Sequence, residues 1–273
     1  MLHRFENYGF ILSIVMLFPI LISCNSDSSK IEYINGALPP EEAITTLELP
    51  PGFQVELVAS EPLVVDPVDM VIDEDGRFYV VELHGYPLDK SGQGAVKLLT
   101  DTDGDGKLDK STVFADNLMW PFGITRWKNG VIVADAPQIL YLEDTDGDGV
   151  ADIRDTILTG FAFSNAQMNA GGPIYGLDNW IYLTSEAGGT YQMYHELFGT
   201  LGSELYFPDR PDGPKLPPQG SGRTVRFHPD KYALELTSGP TQFSRAFDDW
   251  GRHLLSNNSN HVYHEVLAAP YLH

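Results

Sequence analysis

A single cysteine, Cys24, stands among 273 residues. Without a second one the chain can form no internal disulfide, no cysteine zinc site and no C-x-x-C-H attachment, so haem c is not held in this chain. Basic residues are also scarce: 17 lysines and arginines against 38 aspartates and glutamates, a formal charge of −21. Binding along a phosphate backbone needs a basic surface, which excludes nucleic acid as a partner. The acidic balance fits a chain that works outside the cytoplasm or holds cations. From Leu49 onward there is no long stretch of apolar residues at helical spacing, which excludes a helical bundle.

What is present begins with an export signal over residues 1–23. Arg4 supplies a weak positive start, and the apolar run Phe10–Ile22 spans 13 residues. That is short for a bilayer crossing and right for a signal core. The run closes on Leu21-Ile22-Ser23-Cys24, the pattern of a bacterial lipobox, in which Cys24 is acylated and becomes the first mature residue. An ordinary secretory signal with a chance cysteine is the plainer alternative, but Cys24 falls where the apolar run ends. Residues 24–48, polar and proline-containing, then read as a lipid-anchored tether. The expected location is extracytoplasmic and membrane-anchored, in the periplasm or at the cell surface.

Residues 49–273 carry a repeat. An apolar run, a tight polar turn and a run rich in aromatic and β-branched residues recur in "PVDMVIDEDGRFYVVE", "PFGITRWKNGVIVADA", "GGPIYGLDNWIYLTSE" and "FSRAFDDWGRHLLSNN". Asp75-Gly76, Asn129-Gly130, Asp178-Asn179 and Trp250-Gly251 are the expected turns. Further strand pairs lie between, as in "AVKLLT…STVFA" and "QILYLE…DTILTG". Four strands per unit at a period of about 50 residues predict an all-β fold, a β-propeller, with about four blades present. A generic sandwich with coincidental spacing is the alternative. The last unit stops after its third strand, so the expectation is a propeller that extends beyond these blades.

Several blocks in order resemble a known family. "PPGFQVELVASEPLVVDPVDMVIDEDGRFYVVE", "GLDNWIYL", "GRTVRFHPD" and "SGPTQFSRAFDDWGRHLLSNNSNH" are similar to the membrane-bound dehydrogenase propellers that often carry a haem-binding cytochrome c module. The resemblance implies a six-bladed, TolB/sorbosone-dehydrogenase-like propeller related to the glucose/sorbosone dehydrogenases. It also implies pyrroloquinoline quinone (PQQ) as cofactor, a sugar or alcohol as substrate and a cytochrome c as electron acceptor. Fold does not fix function, so two alternatives stay open. One is a non-catalytic, calcium-stabilised cell-surface propeller that binds glycans or protein partners. The other is a lactonase-type hydrolase with a channel metal held by Glu82, Asn169 and Asn260.

In an antiparallel meander the connections alternate between two faces. One face receives Glu82, His84 and Tyr86, the segment 161–172 and the loop 256–264, together with the long insertion 187–222. Long irregular loops on one face of a rigid scaffold are where binding chemistry usually sits. The other face receives short turns and two acidic loops, "DTDGDGKLDK" and "DTDGDGVADI". Each has the oxygen-ligand spacing of an EF-hand between strands instead of helices. Asp101, Asp103, Asp105, the Lys107 carbonyl and Asp109 make the first set. Asp144, Asp146, Asp148, the Val150 carbonyl, Asp152 and, at the twelfth position, Asp155 make the second. Calcium is the expected ion, with Gly106 and Gly149 allowing the sharp turn. The alternative is an Asp/Gly hairpin without metal, against which stands the mutual repulsion of clustered carboxylates.

The dehydrogenase analogy asks for a base near the cofactor. His84, Arg245 and His261 are the catalytic candidates, the arginine as a partner for an anionic group near the channel. Glu82, Asn169, Gln242 and Asn260 are candidates for holding cofactor or substrate, with Asn165, Asn257 and Asn258 as further neutral donors. For each alone the plainer reading is a surface histidine or an asparagine serving its own backbone. Trp180, Tyr182, Phe227 and Trp250 are expected to pack between blades.

Overall fold

The computed structural model describes residues 36–87, 89–163, 169–185, 202–267 and 271. The export signal, Cys24, the start of the tether and Asn165 lie outside them. Among the described residues no helix is long and apolar enough to cross a membrane.

Four antiparallel sheets follow one another, each laid down in chain order. The first contains β1 (Pro67–Ile72), β2 (Phe78–Glu82), β3 (Gly94–Thr100) and β4 (Lys110–Leu118). The second contains β5 (Pro121–Trp127), β6 (Gly130–Asp135), β7 (Gln138–Glu143) and β8 (Ile153–Thr159). The third contains β9 (Gly171–Tyr175), β10 (Ile181–Thr184), β11 (Val225–His228) and β12 (Ala233–Leu236). The fourth contains β13 (Ser244–Phe247), β14 (His253–Ser256) and β15 (Tyr263–Glu265). The leading strands of neighbouring sheets meet, β1 with β5, β5 with β9 and β9 with β13. The chain folds as a β-propeller, with these strands around its channel.

β6 shows why the blades stack. Its residues are buried along the whole strand, and the two-residue period sends them to opposite sides. Val131 and Val133 pack against Tyr79, Val81 and Phe114 of the first blade. Ile132 and Ala134 pack against Ile181, Leu183 and Phe227 of the third. A strand covered on both faces reads as a continuous apolar run, which is what "GVIVA" is. β1 differs: Val71 joins the core toward the second blade, whereas Val68, Met70 and Ile72 on its other face are about half exposed.

The turns carry their own chemistry. Blades one and four share a D-x-x-G-R turn on the face opposite the long loops. Asp73 accepts from the amides of Asp75 and Arg77, and its second oxygen takes Arg77 Nε at 2.7 Å. Asp248 does the same for Trp250, Arg252 and Arg252 Nε. Gly76 and Gly251 supply the left-handed residue, at φ 75° and 73°. Two sequence expectations need correction. The second-blade turn is Lys128-Asn129, because Gly130 already pairs with Trp127 as the first residue of β6. Gly130 is required by crowding instead, since a Cβ there would lie 2.0 Å from the Leu142 carbonyl oxygen. Trp250 is also not a packing residue: it is 78% exposed, with Arg252 stacked over it.

A carboxylate closes the second strand in each of the first two blades. Pro67 and Pro121 open β1 and β5 opposite Glu82 and Asp135. Glu82 accepts the Val65 amide at 2.8 Å and Asp135 accepts the Trp120 amide at 2.8 Å. Each therefore ties the strand end to the chain entering the blade. Burial raises the Asp135 pKa from 3.8 to about 6, against the lowering effect of the Met119 and Trp120 amides. The folded state then holds this proton more tightly than the unfolded chain, so stability falls as pH rises between those two values. By linkage the ionised carboxylate costs about 3 kcal/mol near neutrality. Asp135→Asn keeps an oxygen for the Trp120 amide and removes the charge. We expect it to raise the unfolding midpoint by about 5 °C near neutral pH, with no gain near pH 4. A lower midpoint at neutral pH would mean that the ionised form is needed.

Candidate functional site

The strand order places the β2–β3, β10–β11 and β14–β15 connections on one face of the propeller. A cleft of about 560 Å³ opens there. Asp66, His84 and Tyr86 of the first blade line it with Phe122 of the second and Phe243 and Asn258 of the fourth. It runs into a channel space of about 350 Å³ that Asp69, Thr125 and Ser244 also line.

His84 is the ordered acid–base group of the cleft. Its Nε2 lies 2.9 Å from Glu82 Oε2, and Glu82 is 1% exposed. With Nε2 donating to that carboxylate, the neutral ring carries its lone pair on Nδ1. Nδ1 is 3.6 Å from Asp66 Oδ2, too far for a hydrogen bond. Asp66 holds a left-handed backbone, φ 48°, and its carbonyl accepts the Leu83 amide. Glu82, a sequence candidate for the cofactor or a metal, thus has both oxygens engaged, one by Val65 and one by His84. It positions His84, and each of its oxygens already carries one hydrogen bond.

The other candidates separate. Arg245 borders the channel space but does not offer its guanidinium there: its side chain has no exposure, Nη1 meets Glu265 at 2.7 Å and Nη2 donates to Thr224 Oγ1 at 2.8 Å. The expected anion partner is therefore supplied internally. Gln242 is buried behind the cleft, and its Oε1 accepts from the Asn258 amide at 3.4 Å. Asn169 is buried and partnered. Asn260 and His261 are exposed in the β14–β15 loop and do not line the cleft. Asn257 serves its own backbone, accepting from Ser259 and Asn260. Asp66, Asp69, Phe122 and Phe243 line the site without having been singled out in the sequence. Burial raises the pKa of Asp69, whose carboxylate accepts the Ile124 amide at 3.0 Å.

The acidic loops join β3 to β4 and β7 to β8 on the opposite face. Carboxylate oxygens of Asp101, Asp103 and Asp105 lie within 4.8 Å of one another, as do those of Asp144, Asp146 and Asp152. Asp101 accepts from Gly104 and Gly106, Asp144 from Gly147 and Gly149, so each loop wraps around its first aspartate. These amides hold Asp101 below the usual carboxylate range. Asp109 and Asp152 each clamp the threonine at position two, Thr102 and Thr145. Asp105 and Asp148 accept from the amides of Lys107 and Val150. Asp155 departs from expectation: it sits in β8 opposite Tyr141 and faces a groove toward the third blade. A strand after the loop turns the twelfth residue away, where a helix would bring it back.

Residues 39–273 match the family described as a domain of unknown function, DUF7133. The chain belongs to this family. No curated protein matches the sequence. Among solved structures, the holo PQQ domain of pyranose dehydrogenase from Coprinopsis cinerea is similar at 17% identity, over 75% of this chain and 48% of that one, with a TM-score of 0.45. Virginiamycin B lyase from Staphylococcus aureus, solved in inactive form with quinupristin, is similar at 10% identity over 77% and 59% of the two chains, TM-score 0.39. The chain spans about half the length of the dehydrogenase domain. These are likenesses of fold. PQQ carries three carboxylates, which call for guanidinium or ammonium partners. Arg245 is the one such group among the described residues lining cleft and channel, and its Nη atoms are committed. Among the described residues this lining therefore offers the quinone's carboxylates no uncommitted cation.

Proposed function

We propose that the cleft takes a proton from a hydroxyl of a sugar or other alcohol, as the acid–base side of an extracytoplasmic dehydrogenase of quinoprotein-propeller type. The observation that carries this is the Glu82–His84 pair at the mouth of the channel, with a buried carboxylate fixing the ring. His84 Nδ1 is the acceptor, with the Asp66 carboxylate 3.6 Å away, and Phe122, Phe243 and Tyr86 wall the space. Asn258 supplies neutral polar contact suited to hydroxyls. The proposal concerns the proton; electrons would leave to a quinone and a cytochrome c that this lining does not hold. We further propose anchoring through a lipid on Cys24, and calcium in both acidic loops, where the residues fit it.

That no described lining residue offers an uncommitted cation favours a second reading, a calcium-stabilised propeller that binds glycans or protein partners without catalysis. One experiment separates them: the full-length protein is assayed with PQQ, calcium, an aldose and alcohol panel and a dye acceptor. Dye reduction is expected, with His84→Asn lowering kcat by about a hundredfold or more and KM little changed. If no substrate reduces dye while glycans are retained by the same protein, the binding reading replaces the enzymatic one.

A further inference from the structure

On the opposite face, the second and third blades enclose a groove of about 600 Å³ that is separate from the cleft. Its walls are aromatic: Trp127 at the end of β5 and Tyr232 in the β11–β12 turn, with Phe207 from the insertion buried behind them. Asp155, Asp209 and Asp230 line it as well. Two cations of the chain already use these rings. Lys128 Nζ lies 4.1 Å from the Trp127 ring centre and 2.6 Å from Asp230. The Arg210 guanidinium lies 3.8 Å from the Tyr232 ring centre. A ring face and a carboxylate converging on one ammonium combine quadrupole and charge attraction, the arrangement that holds organic cations. Asp209 accepts the Tyr232 hydroxyl at 2.6 Å and so orients that ring. Asp155 has no ion pair among the described residues.

We propose that this groove binds small organic cations, primary amines above all, and that Lys128 is an internal occupant which the ligand displaces. Lys128 and Asp230 are each 51% exposed, so their pair is weakly held and is exchanged at little cost. An incoming amine places its ammonium against Asp230 and the Trp127 face. Its alkyl chain lies along Tyr232. Asp155 then offers a second carboxylate to a longer diamine. An alcohol of the same shape lacks the charge that both contacts require.

The test titrates the full-length protein with n-butylammonium, the free equivalent of a lysine side chain, and with n-butanol at constant ionic strength. Calorimetry and tryptophan fluorescence are the readouts. Saturable binding is expected for the amine alone, about tenfold tighter in Lys128→Ala because the competitor is gone. Asp230 is exposed, so Asp230→Asn is compatible with folding, and adding it to Lys128→Ala is expected to remove the gain. The proposal is overturned if Lys128→Ala binds the amine no better than the alcohol. It is equally overturned if Lys128→Ala and its Asp230→Asn derivative bind the amine alike.

Discussion

Chelating calcium is expected to lower the unfolding midpoint by about 10 °C, the shift for a chain of this size when a saturating ligand is withdrawn. The reason lies in where the two acidic loops end. At position eight of the first, the Leu108 amide bonds the Val58 carbonyl at 3.1 Å, and Leu108 packs with Ala59, Leu63 and Val64. At position eight of the second, the Ala151 amide bonds the Phe114 carbonyl of β4 at 2.8 Å. Each loop thus fastens its blade to the segment before it. Without a cation the clustered carboxylates repel and open the loop, and both fastenings loosen together. Asp103→Asn and Asp146→Asn are the cleanest variants, since an amide oxygen still accepts the Asp105 and Asp148 amides at 3.2 Å. Each is expected to remove about half of the calcium-dependent shift, measured by scanning calorimetry with and without chelator. A midpoint indifferent to calcium in the unmodified protein would sink the assignment.

The repeat was legible because it rests on local chemistry. Two-residue periodicity, Gly at left-handed turns and a strand covered on both faces all leave marks within a few residues, and "GVIVA" is the plainest. The alternation of connections separates the acidic loops from the long ones before any coordinate is seen. The candidate site was less legible because it is assembled across the chain. Asp66, Phe122, Phe243 and Asn258 come from four separate segments, and no spacing relates them. Glu82 and Asp135 look like ordinary strand-end acids, yet each is spoken for by an amide 17 or 15 residues earlier in the chain. Asp155 was misassigned because EF-hand spacing presumes a helix after the loop. Arg245 was misassigned because a place on an inner strand does not say which way a side chain turns. Its partner, Glu265, lies two strands further on.

That partner carries the second large effect. Glu265→Ala is expected to cost about 3–5 kcal/mol, because it strands a guanidinium with no exposure. Glu265 Oε2 accepts from Arg245 Nη1 at 2.7 Å and from His253 Nδ1 at 2.9 Å, and Oε1 accepts the Ser238 amide at 2.5 Å. The cluster ties β13, β14 and β15 of the fourth blade to Thr224 and Ser238 of the third. Burial opposes the charge on Glu265, but His253, Ser238 and Arg245 outweigh it and hold the pKa far below the ordinary 4.5. A depressed folded pKa gives stability that is full above the unfolded value and lost as pH falls from there through the folded one. Acid unfolding of the native chain should therefore steepen below about pH 4.5, and Glu265→Gln should flatten that limb. Arg245→Met with Glu265→Leu tests whether charge or packing is responsible. If the single loss comes from a stranded charge, the apolar pair recovers more than half of it, as buried pairs exchanged for apolar groups commonly do. Equal losses in the single and the double variant would assign the effect to packing, and the fourth blade would then be held to the third by shape alone.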